Sequence, residues 1–276
     1  MATKKAVSTK KSAAKDSASQ PQAEPTVKAA STTSATKTVV HKRREPALPS
    51  NLLNIIFAEL LGTFMLTIAA IGAATQFAPL YLGLTLLVIA VAVGAVSGAH
   101  INPAVTFGLW TMRKLKTILL PFYWGAQFIG AMLAVIVTNW VTGGSINFGF
   151  SSFASMNWSV FCIELVGTAI FLFGLAAVLS REQVSATGKA VGVGLALTVG
   201  ILTSGYLLST AKTQAVADYQ SKSTSSASKK VEIPHIAYVK GASLNPAVAL
   251  AMTDSTEKEL TTGSASSDEV VNSRFS

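Results

Sequence analysis

The chain has 276 residues, of which 50% are apolar and only 13% charged, with a net charge of +9 at neutral pH. A soluble domain carries about a quarter charged residues, so this composition, with a mean hydropathy of +0.48, excludes an ordinary soluble globular protein and points into a membrane. The single cysteine, Cys162, excludes an internal disulfide and says nothing about redox compartment.

Residues 1–48 hold ten basic residues against three acids and no aromatic residue. Such a stretch buries too little apolar surface to fold and reads as a disordered basic tail. It lacks the apolar centre of a secretory signal, and a transit peptide is disfavoured because no arginine precedes Arg43. Lys42, Arg43 and Arg44, next to the first apolar run, suit contact with anionic lipid headgroups. Nucleic-acid binding is the weaker alternative.

Five apolar runs follow, at about 52–74, 80–97, 119–141, 160–179 and 190–208. Each is close to the ~20 residues needed to cross a bilayer core. Two shorter runs, 101–112 and 242–252, are too short to span. Cys162, inside the fourth run, is expected to pack in the core. Gly94 and Gly98, four residues apart, are expected to mark a helix–helix contact. The polar segment 209–240 reads as a disordered insertion, with an extracellular cap or partner surface as alternatives. Residues 253–276 are polar and contain no run able to cross, so the membrane domain is 51–252.

Basic residues concentrate on the cytoplasmic side of membrane proteins. Lys42, Arg43 and Arg44 precede the first run, Arg113, Lys114 and Lys116 follow the second, and Arg181 and Lys189 lie between the fourth and fifth. The connections 72–79 and 142–157 contain no Lys or Arg. The amino terminus is therefore expected in the cytoplasm. The lysines of 209–240 run against this rule, since alternation puts them outside.

Gly98-Ala99-His100-Ile101-Asn102-Pro103-Ala104-Val105 and Gly241-Ala242-Ser243-Leu244-Asn245-Pro246-Ala247-Val248 share six of eight positions. Upstream, Glu59-Leu60-Leu61-Gly62-Thr63 matches Glu164-Leu165-Val166-Gly167-Thr168, and Gly83-Leu84-Thr85 corresponds to the stretch from Gly194 to Thr198. Three spans per half turn the second copy upside down, an inverted repeat. Glu59 to Asn102 is 43 residues and Glu164 to Asn245 is 81; the surplus falls mainly in 209–240.

Asn is a preferred N-cap and Pro at the first helical turn costs no hydrogen bond. Each motif therefore begins a short helix that dips to mid-membrane and returns. Non-helical backbone survives at that depth only inside protein or beside a watery cavity. The two-fold relation brings both helix starts, at Asn102-Pro103 and Asn245-Pro246, to one point, with Ala104 and Ala247 small enough for contact. Each helix start carries roughly half a positive charge, and Asn102 and Asn245 offer NH₂ donors to a solute oxygen while cations are repelled. Glu59 and Glu164, at matched positions, are expected to accept from the loops' backbone NH groups rather than relay protons. His100 is expected to pack the loop rather than titrate.

At these residues the chain resembles the aquaporin, or major intrinsic protein, family. The specific marks are Glu59-x-x-x-Thr63-Phe64, the stretch from Ser97 to Thr106, Tyr123-Trp124-Gly125-Ala126-Gln127-x-x-Gly130-Ala131, and the second Asn-Pro-Ala. They cover about 55–208 and 240–252, with Gln127 expected as a further buried structural polar group. The resemblance implies six helices and two half-helices, a homotetramer with one pore per subunit, and passive flow of water or small uncharged solutes without cofactor or catalysis. Three departures stand out. The position after the second Asn-Pro-Ala, usually Arg in the family, is Val248. Gap-free matching puts Leu82, Ile201 and Ala242 at the other filter positions, an apolar ring that implies larger or less polar solutes, or closure by dewetting. The insert 209–240 replaces a short loop. No sixth helix is recognisable after Met252.

The expectation is an all-α membrane protein, an aquaporin-like inverted repeat of five transmembrane helices plus two re-entrant half-helices. It sits in the plasma membrane as a passive channel for water or small uncharged solutes, glycerol-like or gaseous. The alternative is a non-conducting relative acting through its tail or insert as an interaction module. No metal spacing, nucleophile constellation or phosphate loop suggests an enzyme.

Overall fold

The computed structural model describes residues 48–73, 77–143, 157–225, 234–239 and 241–252. The basic tail through residue 47, residues 74–76, most of the connection 142–157, residues 226–233 and 240 of the insert and the segment 253–276 lie outside the described residues. Six helices run through the chain: α1 (Leu52–Gly72), α2 (Ala78–Ser97), α3 (Pro103–Thr111), α4 (Leu120–Val141), α5 (Trp158–Leu179) and α6 (Ala186–Ser225). A further one, α7, occupies 246–252, and among the described residues no strand occurs. Five of these helices are long and apolar enough to cross a membrane; α3 and α7 are the two short ones.

Helix starts follow the sequence's capping chemistry. Asn157 Oδ1 accepts from Ser159 N at 3.0 Å and Val160 N at 3.2 Å to open α5. Pro lies in the first turn of α2 and α4. Within α1, Thr63 and Thr67 donate to the carbonyls one turn back, Glu59 O at 2.8 Å and Thr63 O at 2.7 Å. Back-bonding of this kind is how a hydroxyl survives in an apolar interior.

The bundle is held by close backbone approach, as membrane interfaces usually are. α1 packs on α4 and α2, while α6 packs on α2 and α5. Gly130 of α4 lies against the Leu60 backbone of α1, and Gly83 of α2 and Gly194 of α6 face each other's carbonyls. Gly83 and Gly194 are counterparts in the sequence repeat, so the two halves meet through equivalent atoms. Large apolar side chains point away from the bundle, among them Trp140 and Phe173, both 79% exposed. That inverts the soluble pattern and suits lipid.

Three expectations are corrected. The segment from Ser209, expected to be a disordered insertion, continues α6 to Ser225. Residues 209–225 contain no Gly or Pro, so nothing there stops a helix. The 40 residues of α6 span about 60 Å, twice a hydrocarbon core of about 30 Å. Cys162 is exposed on the outside of α5 rather than packed in the core. Gly94 has nothing within contact distance of a built Cβ, and Gly98 has only His100. Among the described residues the pair marks no helix contact; Gly98, at φ 85°, ends α2 by donating its N–H to Gly94 O at 3.0 Å. A left-handed residue after a helix is what glycine does at least cost.

Gly130→Ala should destabilise by about 1–3 kcal/mol, because its new methyl meets backbone that cannot rotate away. Gly125→Ala, in the same helix with nothing within 4 Å, should be neutral or gain up to about 1 kcal/mol. Thermal unfolding of the two purified variants in detergent checks this; equal shifts would contradict the close α1–α4 approach.

Candidate functional site

Each loop that enters a short helix is held by a carboxylate from the helix opening its half. Glu59, fully buried, accepts through Oε1 from Ser97 Oγ at 2.7 Å and His100 N at 2.9 Å. Its Oε2 accepts from Ile101 N at 2.7 Å and Gln127 Nε2 at 2.8 Å. In the second half Glu164 accepts from Ser243 N and Leu244 N, each at 2.9 Å. The loops need this because their chain is non-helical in a buried setting, where an unpaired N–H costs several kcal/mol.

The residue before each Asn carries the turn. Ile101 has φ 53° and Leu244 φ 51°, left-handed values that cost a bulky residue about 1–3 kcal/mol. Both are fully buried, at 0% and 1% exposed. Each fits because a glycine faces it: Gly62 lies under Ile101 and Gly167 under Leu244. These glycines stand three residues after Glu59 and Glu164, so the sequence repeat Glu-x-x-Gly was a legible signal for them. The strained φ values had none.

The two Asn side chains then cross. Asn102 Oδ1 accepts from Ala104 N at 2.8 Å, while its Nδ2 donates to Leu244 O at 2.8 Å. Asn245 Oδ1 accepts from Ala247 N at 3.1 Å, and its Nδ2 donates to Ile101 O at 2.9 Å. Each amide caps its own helix and ties down the other half's loop. Pro103 and Pro246 occupy the first helical positions, and Ala247 is fully buried while Ala104 is half-buried.

Around the first loop lies a shell of polar groups. His100 stacks on Tyr123 at 4.4 Å, with Nδ1 3.2 Å from Thr106 Oγ1. Gln127 Nε2 also donates to Thr106 Oγ1 at 2.8 Å, and Thr106 Oγ1 donates to Asn102 O at 3.0 Å. Tyr123 OH donates to Ser97 O at 2.6 Å, and Trp124 Nε1 to Pro103 O at 3.2 Å. Ser97, Thr106 and Tyr123 gave no sequence signal of this role beyond lying in matched stretches. The second loop has fewer such partners among the described residues.

Leu82, Ile201, Ala242 and Val248, from α2, α6, the second loop and α7, lie in one buried apolar cluster that also contains Ile101 and Leu244. None of the four is more than 7% exposed. None carries a side-chain hydrogen-bonding group.

Glu59→Gln puts an NH₂ where an oxygen accepts two donors; each buried group left unpaired costs about 1–3 kcal/mol. Glu164→Gln disturbs one. Glu59→Gln should therefore lower the unfolding midpoint by about twice as much as Glu164→Gln, read by thermal denaturation in detergent. A larger loss for Glu164→Gln would contradict the donor assignment.

The major intrinsic protein family model matches residues 48–217. Aquaporin NIP2-3 of Zea mays is 33% identical over 163 residues, covering 54% of this chain and 54% of that protein. Aquaporin Z of Photorhabdus laumondii subsp. laumondii is 33% identical over 171 residues, covering 53% of this chain and 74% of that protein. The chain thus spans about half the length of the plant relatives it matches. Among solved structures, the aquaglyceroporin from Plasmodium falciparum aligns with a TM-score of 0.49 at 18% identity, covering 81% of this chain and 89% of that one. With a family model matched over more than half its length, this chain belongs to the major intrinsic protein family.

Proposed function

We propose that the protein is a passive transmembrane channel for water or small uncharged solutes, conducting past Asn102 and Asn245. The observation that carries this reading is the crossed amide pair at the starts of α3 and α7. An amide NH₂ has two hydrogens. One on each side chain donates to the opposite loop's carbonyl, and the second serves a passing solute oxygen. Helix starts and amide donors together favour neutral oxygen-bearing solutes and disfavour cations.

Leu82, Ile201, Ala242 and Val248 form the selectivity ring. With no fixed charge it offers a solute no hydrogen bond, so the cost of shedding water falls least on less polar solutes. Glycerol-like molecules and dissolved gases suit such a ring better than water alone. Relatives named aquaporin and Aquaporin Z support the channel class. Glu59, Glu164, His100 and Gln127 are scaffold in this reading. The subunit works as a homotetramer in the plasma membrane with its amino terminus in the cytoplasm, Lys42, Arg43 and Arg44 facing anionic headgroups.

Proteoliposomes carrying the full chain, followed by stopped-flow light scattering under a water gradient and then a glycerol gradient, test this. The wild type should shrink faster than empty vesicles. Asn245→Trp should return to the empty-vesicle rate. Leu82→Ala or Ile201→Ala should raise glycerol flux roughly several-fold by widening the apolar ring. Wild-type flux equal to that of empty vesicles, with insertion confirmed, would sink the channel reading and leave the interaction-module alternative.

A further inference from the structure

The part of α6 beyond a membrane's thickness is joined to the chain that feeds the second motif. Pro234 to Val239 returns alongside it, with a 3₁₀ turn at His235–Tyr238. Ile236, 4% exposed, packs with Ile163 of α5 and Leu208 of α6, and Ala211, Ala215 and Val239 pack against that cluster. Beside it the half-buried Lys212 donates its ammonium to Val239 O. Val239 is three residues before Ala242, a distance of at most about 11 Å along the chain.

We infer that Lys212 is a positioning residue for the second motif: with Ile236, it fixes where the chain descends into the Gly241–Val248 loop. The sequence put this lysine on the outer side, against the usual distribution of basic residues, and a carbonyl partner gives it a reason to be there. A charge-assisted hydrogen bond is roughly twice as strong as a neutral one. It acts on a loop that, among the described residues, Glu164 holds with two backbone hydrogen bonds, where Glu59 accepts two from backbone and two more from the Ser97 and Gln127 side chains. The second loop thus depends on its approach for order that the first receives from Ser97 and Gln127. The inference deepens the channel reading, on which it rests for the role of that loop in conduction.

Hydrogen exchange on the full chain in lipid nanodiscs tests it without using transport. Lys212→Met removes the donor and keeps the apolar stem; Lys212→Arg keeps charge and donor. Amides of 234–248 should exchange roughly tenfold faster in Lys212→Met and within about twofold of wild type in Lys212→Arg. Exchange at 98–106 should not change. Unaltered exchange in Lys212→Met would overturn the inference, as would equal loosening of both motifs, which would signify general destabilisation. Wild-type permeability measured in parallel separates the two ideas: an inactive wild type sinks the channel reading, while the exchange comparison alone decides the role of Lys212.

Discussion

Everything in the site depends on satisfying non-helical backbone buried at the centre of an apolar bundle. A helix answers its own N–H and C=O groups; the turns before Asn102 and Asn245 do not. Each half resolves this in the same way. One left-handed residue sends its N–H to the carboxylate of its own half and its carbonyl to the Asn of the other. The strain at Ile101 and Leu244 is held by four anchors: the carboxylate, the opposite amide, the facing glycine and the surrounding apolar packing.

The two halves share the left-handed residue before Asn but are unequal in support, and the first loop is also left-handed at Gly98 and Ala99. Around Glu59, four donors and a shell built from His100, Thr106, Tyr123 and Gln127 give the first loop the larger set of partners, with the buried Gln127 Oε1 left unpaired. Among the described residues the second loop relies on fewer groups, and its approach from α6 gains weight accordingly. The apolar cluster of Leu82, Ile201, Ala242 and Val248 lies beside that less supported loop. Two of its members, Ala242 and Val248, belong to the second motif itself.

The length of α6 follows from simple chemistry. The apolar run of α6 ends at about Ser209, where polar residues begin, but a helix ends only where its backbone is broken. Residues 209–225 offer Ala, Lys and Gln with no Gly or Pro, so the helix continues past the apolar run. Ala211 and Ala215 lie four residues apart on one helix face, and both pack against the cluster that holds Ile236 of the returning chain. Polarity marked the end of the apolar run; it did not mark the end of the element.

That distinction separates what was legible from what was not. Five crossings, two short helices, the inverted repeat and the membership of Glu59, Gln127, Asn102 and Asn245 in one region were all readable, because apolar length, capping chemistry and repetition are local properties. Helix–helix approach was read at the wrong glycines: Gly94 and Gly98 had the spacing, while Gly83, Gly130 and Gly194 had the neighbours. Cys162 looked like core because its helix is apolar all round, and periodicity cannot say which side of such a helix faces in. The sequence by itself determined which residues are polar, where helices can start and that two halves share one design. Only the tertiary structure decided which carbonyl each Asn reaches, which residues take a left-handed turn, and that Lys212 meets Val239. Those pairings join positions 27 to 144 residues apart, and nothing local to either partner encodes them.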